Sequence, residues 1–126
     1  MTHPDYNSAA ELKQVLDANG FSMQKKFGQN FLINQQARNK LIDALDVSEG
    51  TKVWEVGPGL GAMTSGLLKK GADLTVFEID RGFASLISGF FEDYSKKENN
   101  SVGNIIFLRK YNSSLNRECC ELLIAL

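Results

Sequence analysis

Histidine, cysteine and proline are all scarce in this chain of 126 residues, and each scarcity excludes something. The one histidine, His3, lies in a terminus expected to fray, so it is not expected to be catalytic. The two cysteines, Cys119 and Cys120, are neighbours. Adjacent cysteines rarely reach disulfide geometry, and no C-x-x-C spacing offers a metal site. No metal is therefore expected, and a reduced, cytoplasmic setting follows. No leader of basic then apolar residues opens the chain. No apolar run approaches membrane-spanning length, so no membrane partner is expected either. Excess charge is missing too: 14 Lys and Arg against 15 Asp and Glu leave a net charge of −1. No global basic field announces nucleic acid. The basic pairs Lys25-Lys26, Lys69-Lys70, Lys96-Lys97 and Arg109-Lys110 read as solvated faces.

What is present is a hydrophobic content of 43%, enough for a packed core in one domain. One stretch organises the rest, from Val53 through Trp54-Glu55-Val56-Gly57-Pro58-Gly59-Leu60-Gly61 to Thr64. It reads as a buried strand ending on an acidic residue, a turn through three glycines, and a helix start. Glycine lets the backbone turn sharply and leaves no side chain between chain and ligand. Amides at the helix start face whatever lies in the turn.

The other elements follow from periodicity. Ala9, Leu12, Val15 and Leu16 share one face of a helix over about residues 8–18, with Asn7 or Ser8 as cap. Phe21 to Leu32 has no clean period, and its Gln29-Asn30 pair between Phe27 and Phe31 suits either a loop or a site for a zwitterionic ligand. Asn34 caps a second helix, about 35–45, with Ala37, Leu41, Ala44 and Leu45 inward. Strands are expected at Lys52–Val56, Asp73–Phe77 and Ile105–Leu108. A helix over about 62–70 turns Met63, Leu67 and Leu68 to one side. Another over 81–94 carries Phe83, Leu86, Ile87, Phe90, Phe91 and Tyr94 on one stripe. The β-α-β-α-β alternation predicts a doubly wound parallel sheet.

Two cofactor classes use such a turn. Gly57, Gly59 and Ala62 satisfy the G-x-G-x-x-G/A dinucleotide fingerprint, and Glu78 stands where a carboxylate takes ribose hydroxyls. Two features favour S-adenosylmethionine over NAD. A carboxylate at Glu55, at the mouth of the turn, would repel a pyrophosphate by about 1–4 kcal/mol at short range, yet would tolerate a sulfonium and an ammonium group. Glycine also recurs at Gly61, giving G-x-G-x-G.

Three segments in order carry a family resemblance: Lys25-Lys26-Phe27-Gly28-Gln29-Asn30-Phe31-Leu32, Trp54 to Thr64, and Phe77-Glu78-Ile79-Asp80-Arg81. Together they resemble the small-subunit ribosomal RNA adenine dimethyltransferases of the KsgA/RsmA type, across about residues 6–108. The resemblance implies a Rossmann-like class I S-adenosylmethionine-dependent methyltransferase fold, incomplete here, with the first three β-α units. It implies that Gln29, Asn30 and Leu32 lie at the methionine end of S-adenosyl-L-methionine. Gly57 and Gly59 would let the backbone approach sulfur and ribose, and Glu55 would help hold the cationic end. Glu78 would accept bonds from both ribose hydroxyls, and Ile79 would pack on adenine. The implied reaction is dimethylation of two adjacent adenosines in small-subunit rRNA, with the rRNA or immature small ribosomal subunit as partner.

The chain also departs from that family. Its members carry a Gly-Asp turn after the third strand and an Asn-x-Pro-Tyr loop after the fourth. Here Leu108 runs into Arg109-Lys110-Tyr111-Asn112, and the two prolines are Pro4 and Pro58. No catalytic residue is nominated, and a truncated cofactor-binding portion is expected. Residues 109–126 form an atypical tail, expected as a short amphipathic helix or as out-of-frame sequence. With no fourth strand in view, Val53–Val56 is expected to be an unpaired edge and the chain marginally folded.

Overall fold

Strict alternation along two short strands places the core. β1 (Lys52–Val56) buries Val53 and Glu55, and β2 (Asp73–Phe77) buries Leu74 and Val76. The structure, a computed structural model, describes residues 1–21, 34–95, 104–108 and 121–124. Helix α3 (Ala62–Lys69) joins β1 to β2 and lets them lie parallel, with Val53 opposite Leu74 and Val56 opposite Phe77. β3 (Asn104–Leu108) continues the sheet beyond β2, also parallel. β4 (Glu121–Ile124) lies parallel to β1 on its other side, Val53 opposite Glu121 and Val56 opposite Ile124. The order β3-β2-β1-β4 makes β1 a central strand, as in a doubly wound Rossmann sheet.

That pairing corrects the expectation of an unpaired β1. The fourth strand comes from the tail, where an amphipathic helix was expected. Glu121-Leu122-Leu123-Ile124 is a short apolar run, and periodicity cannot tell such a run from a helix segment. Ladder bonds to β1 decide it.

The helices differ in smaller ways. In α1 (Ala9–Ala18) Ser8 caps the Glu11 amide and Leu12 and Leu16 are buried, but Ala9 is exposed. In α2 (Gln35–Ala44) Asn34 caps the Ala37 amide as expected. Its inward residues are Arg38 and Ile42, while Leu41 is 47% exposed and Ala44 is exposed too. The rotation has a local cause. The Ile42 Cδ1 occupies the space where a Cβ on Gly66 would be, 2.2 Å from its ideal position. α2 therefore docks on α3 through Ile42, and Arg38, one turn earlier, shares that side. α4 (Arg81–Phe90) buries Phe83, Leu86, Ile87 and Phe90. It ends before Phe91, and α5 (Glu92–Ser95) follows, so the helix expected over 81–94 is two pieces. Phe91 stays buried, and the Tyr94 ring meets it edge-on at 6.2 Å.

The N-terminus is not frayed. His3 stacks on Tyr6 at 5.0 Å and on Phe91 at 5.6 Å. The core gathers Tyr6, Leu12, Leu16, Ile42, Leu67, Leu68, Leu74 and Phe91 with their neighbours. Each fully buried large apolar side chain contributes about 1.5–3 kcal/mol. Among the described residues no helix is long and apolar enough to cross a membrane, and no three His, Cys, Asp or Glu residues are grouped to hold a metal.

Candidate cofactor site

The site lies past the C-terminal ends of β1 and β2, where open α/β sheets place their ligands. Gly57, Gly59 and Gly61 have φ of 68°, 59° and 94°. Those left-handed values are easy for glycine and strained for other residues. The turn is tied at both ends. The Gly57 amide donates to the Phe77 carbonyl at 2.9 Å, and the Gly61 amide donates to the Pro58 carbonyl at 3.0 Å. The first bond extends the β1–β2 register by one step and sets the turn beside Glu78. α3 then starts at Ala62 with Gly61 as its cap, a residue with no side chain to bond its first amides. Those amides are oriented for a ligand with oxygen acceptors.

Glu78 directly follows β2 and is buried. Its Oε1 accepts the Asp80 amide at 2.8 Å. Burial raises its pKa above the ordinary glutamate value, the Asp80 and Ile79 amides oppose that, and the Asp80 charge adds to it. A carboxylate has acceptor capacity left after one such bond. Ile79 is 89% exposed, an apolar side chain beside the turn with little covering it. Asp80 caps α4 by accepting the Gly82 and Phe83 amides at 2.8 and 3.0 Å.

Glu55 stands differently from a charged carboxylate at the mouth of the turn. It is fully buried, and its Oε2 accepts the Thr64 hydroxyl from α3 at 2.7 Å. Among the described residues its Oε1 has no hydrogen-bond partner. Burial pushes its pKa up to about 7, against the pull of the Thr64 bond. Near neutral pH it is therefore partly protonated, and it repels a pyrophosphate less than a full charge would. Thr64 was not singled out by sequence reasoning, and neither were Tyr6 and Arg38. The Tyr6 hydroxyl donates to the Leu60 carbonyl inside the turn at 2.8 Å. Arg38 donates to the Tyr6 carbonyl at 3.3 Å and to the Asn7 side chain. No local pattern marks these residues, because each partner lies 9 to 54 positions away.

Gly57, Gly59, Glu55, Glu78 and Ile79 thus gather at one end of the two central strands. Gln29, Asn30 and Leu32 lie outside the described residues.

A parallel sheet in this order, with a glycine turn facing a carboxylate just past β2, is a doubly wound Rossmann-like arrangement, present in part. Residues 20–102 match the family model described as ribosomal RNA adenine dimethylase. The chain is 58% identical over 97 residues to ribosomal RNA small subunit methyltransferase A of Treponema denticola, covering 77% of this chain and 33% of that protein. It is 44% identical over 107 residues to the protein of that name from Borrelia garinii, covering 85% and 37%. The one from Treponema pallidum is 47% identical over 92 residues, covering 73% and 32%. This chain belongs to the ribosomal RNA adenine dimethylase family. It spans about a third of the length of these relatives.

Proposed function

We propose that this chain holds S-adenosyl-L-methionine for methyl transfer to the N6 atoms of adenosines in small-subunit rRNA. The observation that carries the reading is the Gly57–Phe77 bond, which sets a left-handed glycine turn against Glu78. The residues suit a nucleoside without a diphosphate. The described residues of the turn and the first turn of α3 include no lysine or arginine, and a glutamate lies close behind. Glu78 takes the ribose hydroxyls, Ile79 lies against the adenine, and Gly57 and Gly59 admit the ribose and the sulfonium end. The family resemblance assigns the methionine portion to Gln29, Asn30 and Leu32. Glu55 acts from behind the turn through the field of its partial charge.

The cofactor would supply a methyl carbon on a cationic sulfur, open to in-line displacement by an adenine nitrogen. Positioning accounts for most of the rate. The target base must leave its stack to reach the methyl group. Cofactor binding is the step assigned to these residues, with an immature small ribosomal subunit as the partner of the full enzyme.

Titration calorimetry with S-adenosylhomocysteine and with NADH tests the reading. Binding of the first and not the second is expected. Glu78→Gln should raise the dissociation constant about tenfold or more, since bonds to a charged acceptor contribute about 1.5–3 kcal/mol each. NADH binding, or an unchanged constant in Glu78→Gln, would overturn it.

A further inference from the structure

The segment ahead of α1 is built into the molecule far more firmly than its position suggests. Pro4 and Tyr6 are buried. The Ser8 amide donates to the Asp5 carbonyl at 3.0 Å, the Asn7 amide to the Asp5 side chain at 2.9 Å, and the Asp5 amide to Glu11 at 2.8 Å. Arg38, itself buried, holds the segment at the Tyr6 carbonyl and the Asn7 side chain. His3 stacks between segment and core, on Tyr6 and Phe91.

The end of this arm touches the glycine turn. A Cβ on Gly61 would lie 2.7 Å from a Phe91 ring carbon and 3.1 Å from the Tyr6 hydroxyl. The Tyr6 hydroxyl donates to the Leu60 carbonyl, which belongs to the same peptide unit as the Gly61 amide. That amide donates to the Pro58 carbonyl. The Leu60–Gly61 peptide is therefore gripped from both sides, and its plane cannot rotate without breaking two bonds. Burial keeps the Tyr6 hydroxyl protonated, and the nearby Glu55 carboxylate adds to that.

We infer that the N-terminal arm is a strut for the cofactor turn and that Tyr6 is a positioning residue, holding the Leu60–Gly61 peptide in its ligand-ready orientation. Tyr6 does not touch the ligand; it acts through the backbone it holds. The binding part of this inference rests on the function proposed above, and the backbone part does not.

The test compares Tyr6→Phe with Leu74→Val, a core change at the opposite end of β2 that controls for general destabilisation. Two readouts are taken on the same proteins: S-adenosylhomocysteine binding by calorimetry, and amide hydrogen exchange at Gly59, Leu60 and Gly61 without ligand. Tyr6→Phe is expected to raise the dissociation constant about 3- to 10-fold, the worth of one net hydrogen bond, and to speed exchange at those amides. Leu74→Val should move neither beyond its effect on the unfolding midpoint. Equal behaviour of the two variants, or no change in Tyr6→Phe, overturns the strut. Should the unaltered chain bind no S-adenosylhomocysteine, the function proposed above falls, and exchange alone decides the strut. Should Tyr6→Phe not fold, Asn7→Ala, which frees the arm from one Arg38 bond, decides by the same criteria.

Discussion

Glu55 allows a pH prediction that can be worked through. Its folded-state pKa is about 7, against 4.5 for an ordinary glutamate. Between those values the folded chain keeps a proton that the unfolded chain has released. Stability therefore falls as pH rises across that window, by about 1.4 kcal/mol per unit. The full loss is about 3 kcal/mol. It is absent below about pH 4.5 and complete somewhat above 7. Glu78, also raised by burial, adds in the same sense. The probe is Glu55→Gln, which keeps an acceptor for the Thr64 hydroxyl and removes the titration. The new amide nitrogen takes the place of an oxygen that has no partner among the described residues, at a cost of about 1–3 kcal/mol that does not vary with pH. The comparison is therefore of slopes. Urea unfolding from pH 4.5 to 8.5 should show the gap between unaltered chain and variant changing by about 3 kcal/mol, with the variant gaining ground at high pH. Parallel curves for the two proteins would refute the claim that Glu55 is buried and near neutral.

Other substitutions probe the packing. Gly61→Ala faces both a left-handed φ of 94° and the Phe91 ring at 2.7 Å. It should cost about 2–4 kcal/mol by chemical denaturation and weaken S-adenosylhomocysteine binding. Gly66→Ala should cost about 1–3 kcal/mol because Ile42 Cδ1 fills its space. Pairing it with Ile42→Val, which removes that methyl, should recover part of the loss in a double-mutant cycle. Asp80→Ala removes the cap on the Gly82 and Phe83 amides and should lower the unfolding free energy by about 1 kcal/mol.

Much of this molecule is written in short-range pattern. Alternation over Lys52–Val56 and Asp73–Phe77 is a period-two signal, and the strands form there. Glycine at 57, 59 and 61 marks a turn that only left-handed residues satisfy, and all three glycines adopt that conformation. Glu78 falls at the end of β2 because strand length and loop length are local quantities. The same information fails where a side chain's partner is distant. The helix α2 period was readable, but its rotation was not, since Ile42 turns inward to meet Gly66 on another helix. The run Glu121–Ile124 became a strand because β1 offered a free ladder, which no four-residue window reveals.

Residue chemistry and spacing thus settle most of the elements, the doubly wound class and the place of the glycine turn. Tertiary structure decides the charge and the support of that turn. Burial under α3, not position in a motif, lifts Glu55 toward neutrality. A tyrosine 54 positions upstream of Leu60 grips the turn's backbone. Protonation and hydrogen bonding depend on what surrounds an atom in space, and the order of residues along a chain specifies those surroundings only after the chain has folded.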